Sequence, residues 1–280
     1  MRVFVFPGQG SQSKGMGGEL FDQIDEFKAI ESQADELLGY SIRDLCLNDP
    51  DGVLNETQFT QPALYIVNAL HYYDQIKQGV TPDYVAGHSL GEYNALLAGG
   101  AFDLLTGLKL VQKRGQLMSQ AKDGGMAAII GLDADAIPGI LAEHGLDGID
   151  VANFNSPAQT VISGPIDQLE KGQPLFKEAG AKLYKVLPVS AAFHSRYMQP
   201  AADEFASFLS DVEFGELTTP VIANVTAKPY EQADIAKNLV TQISGSVQWT
   251  QSVRYLNGLG EAEYIEVGPG KVLAKLIKQI

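Results

Sequence analysis

Residues 84–100 read YVAGHSLGEYNALLAGG, and this stretch decides the fold of the chain. An apolar, strand-like run leads into the pentapeptide GHSLG, which opens a helix-like run closed by two glycines. Strand, G-x-S-x-G and helix in this order are typical of a nucleophile elbow, which exposes a serine hydroxyl at the edge of a parallel sheet. Glycines on both sides permit a turn that Cβ atoms would block. The stretch predicts a reactive Ser89; an ordinary glycine-rich turn with a solvated serine is the alternative.

Composition narrows the class of protein. The chain has 280 residues, of which 45% are hydrophobic, enough for one large domain or one domain with an insert. Its net charge of -14 argues against a nucleic-acid partner, because phosphate binding needs a basic surface. One cysteine, Cys46, excludes an internal disulfide and suits a reducing cytoplasm. The N-terminal apolar run is too short for a signal peptide, and no apolar run is long enough to span a membrane.

The order of strand-like and helical runs predicts an α/β fold with two domains. Strands and helices alternate along residues 1–123 and again along residues 191–280, which is typical of a parallel sheet. Residues 124–190 instead show the order β-α-β-β-α-β of the ferredoxin-like unit. We therefore expect a discontinuous large domain, residues 1–123 and 191–280, with an inserted small domain, residues 124–190.

A serine nucleophile needs a base, and the chain has four histidines. His88 adjoins Ser89, but neighbours on a tight turn generally point apart. His71 and His144 lie in polar helical stretches typical of solvated side chains. His194 follows the predicted insert, in a loop between a strand and a helix, where active sites are often assembled. It is the candidate base, with a capping or core histidine as the alternative.

The group that would orient His194 stays open at the level of sequence. A catalytic triad uses an acidic residue for this purpose. No Asp or Glu in the stretch before His194 stands out as that partner. Either an acidic residue is hidden in ordinary sequence, or a backbone carbonyl takes its place.

Arg114 falls on the apolar stripe of a predicted helix over residues 104–121. Helical steps of three and four residues place it between Val111 and Met118. A buried arginine needs an anionic partner, because an unpaired buried charge is costly. The partner is either a carboxylate of the protein or a carboxylate of the substrate, which the planar guanidinium can bind in a bidentate manner.

Weaker signals surround these residues. The loop GQG, residues 8–10, can bring the backbone N–H of Gln9 into an oxyanion hole beside that of Leu90. Phe193 precedes His194, so its ring is expected to border the same pocket. Met126 is a candidate pocket residue, although methionine often only fills a core. Asn153 and Asn155 are expected to be turn residues.

Taken together, these segments resemble the malonyl-CoA:acyl-carrier-protein transacylase family. The resemblance runs in the family's order along essentially the whole chain, and its combination of motifs is highly specific. The matching segments are FPGQGSQ (6–12), QPAL (61–64), GHSLGEY (87–93), KRG (113–115), GMAA (125–128), NFNSP (153–157), FHS (193–195) and EVGPG (266–270).

The resemblance implies a ping-pong mechanism. Ser89 would attack the thioester of malonyl-CoA with His194 as general base. The backbone carbonyl that orients the histidine in this family maps onto Gln242, which would explain the missing acid. CoA would leave, and the phosphopantetheine thiol of an acyl carrier protein would then accept the malonyl group. The implied fold is an α/β-hydrolase-like large domain with a ferredoxin-like small one, without a bound cofactor or metal.

The resemblance also implies how the acyl group is recognised. Arg114 would bind the malonyl carboxylate, and the backbone N–H groups of Gln9 and Leu90 would form the oxyanion hole. An aromatic residue at the position of Phe193 goes with malonyl in this family, with Met126 as a further candidate pocket residue.

Local likeness over residues 57–65, 91–96 and 192–198 is greatest to discrete, trans-acting acyltransferases of polyketide synthases. Fatty-acid-synthesis members share most of these motifs and are the first alternative. An acyl hydrolase that clears stalled carrier-protein thioesters is the second, although such proteins generally lose the arginine. A non-enzymatic module that docks on carrier proteins is the third, and the intact set of Ser89, His194 and Arg114 argues against it.

Overall fold

The computed structural model describes residues 1–189 and 191–280. The strands, in chain order, are β1 Arg2–Phe6, β2 Tyr84–Gly87, β3 Gly125–Ile130, β4 Asp150–Ser156, β5 Gln159–Gly164, β6 Leu183–Val186, β7 Val221–Ile222 and β8 Glu263–Glu266. They form two four-stranded sheets. The larger sheet is parallel with the order β7-β2-β1-β8, and the smaller is antiparallel with the order β4-β5-β3-β6.

The helices follow the alternation that the sequence predicts. In chain order they are α1 Leu20–Gln23, α2 Asp25–Lys28, α3 Glu31–Leu38, α4 Ile42–Asn48, α5 Thr57–Lys77, α6 Gly91–Gly99, α7 Leu104–Gln120, α8 Ile137–Glu143, α9 Ile166–Glu178, α10 Gln199–Leu209, α11 Ile235–Ser244, α12 Trp249–Gly258 and α13 Val272–Ile277. No helix in the described residues combines the length and the apolar character needed to cross a membrane.

Both faces of the larger sheet are covered, as a parallel sheet requires. Alternate residues of β1 point to opposite faces. Phe4 and Phe6 join the main core with α5, α6 and α7, whereas Val3 and Val5 join a second cluster with α12 and α13. The predicted α/β fold class is thereby confirmed.

The smaller sheet has the strand order of the ferredoxin-like unit, as predicted. One face packs under α8 and α9, with Ile129 and Phe176 fully buried between them. The opposite face turns toward the larger sheet, and its residues Met126, Ala128 and Val161 belong to the main core. The exact domain boundaries stay a prediction, and Ser190, at the second of them, lies outside the described residues.

The free edge of β4 pairs with the segment between α11 and α12. The N–H of Val247 donates to the carbonyl of Ala152 over 2.9 Å, and the N–H of Phe154 donates to the carbonyl of Val247 over 2.9 Å. The short segment between α11 and α12 therefore acts as a further strand at the edge of the smaller sheet.

Three glycines allow the serine turn to close tightly and to approach the end of β1. A Cβ on Gly87 would lie 1.9 Å from the carbonyl carbon of Gly91, and one on Gly91 would lie 2.1 Å from the carbonyl oxygen of Phe6. A Cβ on Gly8 would lie 2.4 Å from the carbonyl oxygen of His88. The glycine spacing of the motif is thus a packing requirement between backbones.

Replacing Gly91 by alanine should destabilise the protein, because the new methyl group meets backbone and not a flexible side chain. We expect the free energy of unfolding to fall by about 3 kcal/mol. Gly139→Ala is the matched control: Gly139 lies in α8, and an added Cβ has nothing within 4 Å. That substitution should stabilise by about 0.5–1 kcal/mol. Urea denaturation measures both, and equal effects would contradict the packing argument.

Candidate active site

Ser89 sits on the turn between β2 and α6 in a left-handed backbone conformation, with φ of 52°. This conformation is unfavourable for a residue with a Cβ and needs support from its surroundings. Two side chains supply it. Asn224 Oδ1 accepts the N–H of Ser89 at 2.8 Å, and Gln242 Nε2 donates to the carbonyl of Ser89 at 2.7 Å. The predicted elbow is present and is held from two sides.

His194 faces the serine hydroxyl. Its Nε2 lies 2.7 Å from Ser89 Oγ, and its Nδ1 lies 2.8 Å from the carbonyl of Gln242 and 3.2 Å from that of Gly245. Carbonyl oxygens only accept, so Nδ1 carries the hydrogen and the lone pair of Nε2 points at the serine. Of the two orienting groups left open above, the structure thus places a backbone carbonyl, that of Gln242, against Nδ1.

Burial and the neighbouring Arg114 guanidinium lower the pKa of His194 to about 3. Both effects disfavour the imidazolium, since it loses solvation and is repelled by a second positive charge. His194 is therefore neutral at neutral pH, the state in which it can accept a proton from Ser89. Two histidines that the sequence set aside lie elsewhere: His144 is exposed as expected, whereas His71 is half-buried and not solvated as its polar stretch predicts.

Arg114 is only 1% exposed, yet it has no carboxylate partner among the described residues. Its Nη1 donates to Gln61 Oε1 and its Nη2 to Gln242 Oε1, each over 2.8 Å. The same Nη2 lies 3.2 Å from Ser89 Oγ. Of the two partners that the sequence left possible, a carboxylate of the protein is therefore not what holds Arg114 among the described residues. Two neutral amides fix the guanidinium beside the serine without a direct ion pair among the described residues.

Glu92 is a buried acid behind this site that the sequence analysis did not single out. It is 0% exposed and accepts hydrogen bonds from Asn224 N–H at 2.8 Å, the Tyr230 hydroxyl at 2.8 Å and Gln242 Nε2 at 2.6 Å. Burial raises its pKa to about 7, against the opposing effect of these donors and of Arg114. The feature that could have identified Glu92 is its position: it is a charged residue in the first turn of α6, and every residue of that helix is buried.

Seven of the eight predicted site residues line one cavity of about 300 Å³. They are Gln9, Ser89, Leu90, Arg114, Met126, Phe193 and His194. The eighth, Gln242, lies directly behind the cavity, fully buried. Among the described residues no acceptor pairs with the backbone N–H of Gln9 or Leu90, so both donors remain available.

The expectation for Asn153 and Asn155 is wrong. Both lie within β4 and are buried, 5% and 7% exposed, and both line the cavity. Asn155 Oδ1 lies 2.8 Å from Nε2 of His88. The hairpin turns two residues later, at Pro157 and Ala158, so the polar cluster that is typical of a turn belongs to a strand facing the site.

Comparison with known proteins bears on this arrangement. The family model described as an acyl transferase domain matches residues 3–279 of this chain. The chain belongs to the acyl transferase family. It is 54% identical to the polyketide biosynthesis malonyl CoA-acyl carrier protein transacylase BaeC of Bacillus velezensis, covering 100% of this chain and 96% of that protein. It is 42% identical to the malonyl CoA-acyl carrier protein transacylase of Escherichia coli K12, covering 99% and 92%.

Solved structures of acyl transferases agree with the fold described here. A malonyl CoA-acyl carrier protein transacylase from Burkholderia pseudomallei has a TM-score of 0.95 and 49% identity, covering 100% of this chain and 97% of that one. The resemblance drawn from the sequence motifs is confirmed by these comparisons. The roles of the individual site residues stay predictions.

Because native His194 stays neutral, the free energy of unfolding of this acyl transferase should fall in acid. Unfolded histidine binds a proton near pH 6.5, whereas native His194 resists it down to about pH 3. Below about pH 6.5 the unfolded state therefore binds more protons and is favoured. The free energy of unfolding should fall more steeply between about pH 6.5 and pH 4 in the wild type than in His194→Gln. Urea denaturation at each pH measures the slopes; identical slopes would refute the assignment.

Proposed function

We propose that this chain transfers the malonyl group from malonyl-CoA to the phosphopantetheine thiol of an acyl carrier protein, in polyketide biosynthesis. One observation carries the proposal: a buried arginine without a carboxylate partner lies 3.2 Å from a serine hydroxyl that is itself 2.7 Å from a neutral histidine. An acyl donor that ends in a carboxylate fits both groups at once. The printed names of BaeC and of the Escherichia coli relative support this substrate pair.

In the first half-reaction His194 Nε2 takes the proton of Ser89 Oγ, and the oxygen attacks the thioester carbonyl carbon of malonyl-CoA. The oxyanion that forms accepts hydrogen bonds from the N–H groups of Gln9 and Leu90. The intermediate collapses by breaking the carbon–sulfur bond. The CoA thiolate takes the proton from His194 and leaves, and the malonyl group remains as an ester on Ser89.

In the second half-reaction the phosphopantetheine thiol of the carrier protein enters the same cavity. His194 accepts the thiol proton, the sulfur attacks the malonyl ester, and Ser89 leaves with the proton returned by His194. Because the acyl donor leaves as CoA before the acceptor thiol enters the same site, the kinetics are ping-pong. No step requires a metal ion or an organic cofactor.

Arg114 selects the acyl group by its charge. The malonyl carboxylate forms a charge-assisted, bidentate pair with the guanidinium, which two amide oxygens already hold in place. Phe193 and Met126 line the apolar side of the same cavity. A polyketide role is favoured over fatty acid synthesis because identity is 54% to BaeC and 42% to the Escherichia coli transacylase. Cys46, buried and free, suits a reducing cytoplasm.

Ser89→Ala should abolish the acyl-enzyme, because it removes the hydroxyl that lies 2.7 Å from His194 Nε2. Mass spectrometry after mixing with malonyl-CoA should show a malonyl adduct on the wild type and none on the variant. Ser11→Ala, a serine lining the same cavity, is the matched control and should keep the adduct. Adding holo carrier protein tests the whole function: malonyl-carrier protein is expected, whereas free malonate would indicate a hydrolase and no product a docking module.

Arg114→Ala should harm malonyl transfer far more than acetyl transfer. Removing a bidentate charged contact costs on the order of 2–5 kcal/mol, which corresponds to a loss of about 30-fold or more in kcat/KM for malonyl-CoA. Acetyl-CoA lacks the carboxylate and should lose much less. Arg254→Ala, an exposed arginine, serves as the control. Equal losses for the two donors would show that Arg114 has only a structural role.

A further inference from the structure

Glu92 and Arg114 are two buried, oppositely charged side chains with a single side-chain amide between them. Glu92 Oε2 accepts a hydrogen bond from Gln242 Nε2 at 2.6 Å, and Gln242 Oε1 accepts one from Arg114 Nη2 at 2.8 Å. Glu92 is 0% exposed and Arg114 is 1% exposed. The two residues therefore form a buried pair of charges that an amide bridges.

This pair is balanced only while the cavity beside Arg114 holds no further charge. The proposed malonyl transfer brings a second carboxylate to the guanidinium. The buried cluster then contains two negative charges and one positive charge. Such an excess is costly, because the interior solvates a charge less well than water does. An acetyl group has no carboxylate and leaves the balance unchanged.

The groups around Glu92 differ in whether they can change their charge near neutral pH. In the described part of the chain, Arg114 on α7, Tyr93 on α6 and Tyr230 after β7 face it. Arg114 stays protonated, and burial raises the pKa of both tyrosines far above neutral pH. The pKa of His194, beside Arg114, is about 3. The pKa of Glu92 is about 7, so a carboxylate bound beside Arg114 needs to raise it only slightly further.

The hydrogen bonds of Glu92 accommodate a proton on one of its oxygens. Oε1 accepts from Asn224 N–H and from the Tyr230 hydroxyl, each at 2.8 Å. The backbone N–H and Gln242 Nε2 only donate, whereas the hydroxyl can turn and accept instead. A proton on Oε1 can therefore be donated to Tyr230 Oη while the other two contacts remain. The cluster thus holds the acid in its charged form and in its neutral form.

We propose that Glu92 takes up a proton when the malonyl group binds beside Arg114 and releases it when that group leaves on the carrier-protein thiol. The inference rests on the proposed malonyl transfer. The proton comes from solvent and ends on the Glu92 carboxylate, and no bond of the substrate changes in this step. Glu92 responds to the charge of the acyl group without touching it, so the uptake occurs with malonyl and not with acetyl.

The test counts protons during the first turnover of the wild type at about pH 7.5, in weak buffer with a pH-indicator dye. Malonyl-CoA and acetyl-CoA are compared without carrier protein. Release of the CoA thiol is common to both donors, so the difference between them reports the effect of the malonyl carboxylate. We expect malonyl-CoA to cause an additional uptake of about half a proton per site. Equal proton counts for the two donors would overturn the proposal.

Glu92→Gln shows where the proton goes. The amide cannot take up a proton, so the difference between the two donors should disappear. Glu31→Gln is the matched control: this carboxylate on α3 accepts from Arg43 Nε at 2.6 Å and does not line the acyl cavity. It should keep the wild-type difference. A difference that survives in Glu92→Gln would place the proton on another group, such as His194, and would refute the assignment.

A second measurement needs no variant. A bound carboxylate and a proton on Glu92 favour each other, so the effect is reciprocal. The ratio of kcat/KM for malonyl-CoA to that for acetyl-CoA should therefore fall about tenfold from about pH 6.5 to about pH 9. A ratio independent of pH would overturn the inference and leave malonyl transfer intact. Failure of the wild type to transfer malonyl would instead remove the proposed function itself.

Discussion

The buried carboxylate of Glu92 is the constraint on which the site geometry depends. Its oxygens hold the backbone of Asn224 and the side-chain amide of Gln242, and these two residues in turn hold both polar groups of the Ser89 peptide. The same Gln242 side-chain amide accepts a hydrogen bond from Arg114, and the Gln242 backbone carbonyl faces His194 Nδ1. Buried donors left without acceptors cost free energy, so these contacts support one another or fail together. One acid thus orders Ser89, His194 and Arg114 without touching the Ser89 hydroxyl or the His194 ring.

The amide contacts of Arg114 hold a buried cation in place without pairing its charge directly. A carboxylate in place of Gln61 or Gln242 would neutralise the guanidinium and compete with an acidic acyl group. Amide oxygens orient its N–H groups and leave the charge in place. Gln242 can do this in one orientation only, because Glu92 and the Ser89 carbonyl both accept and the guanidinium only donates.

The parts of the site that the sequence predicts are encoded locally. Glycine spacing marks Ser89, helical periodicity places Arg114 on a buried stripe, and the loop after the insert contains His194. The rest depends on contacts between distant positions: Glu92 and Asn224 are 132 residues apart, so neither is visible from its neighbours. Asn153 and Asn155 are mispredicted because their local sequence is typical of a turn, whereas both belong to strand β4. Only the cavity beside that strand explains why polar side chains are buried there.

The pairing of Val247 with β4 couples the smaller sheet to the segment whose carbonyls face His194. Only a few residues separate Val247 from Gln242 and Gly245, whose carbonyls fix the tautomer of His194. A shift of the smaller sheet would therefore be transmitted along this segment to the hydrogen on Nδ1. The smaller sheet is therefore not an interchangeable module: a chimera that takes β3 to β6 from a relative must also preserve the pairing at Val247, or His194 loses its alignment.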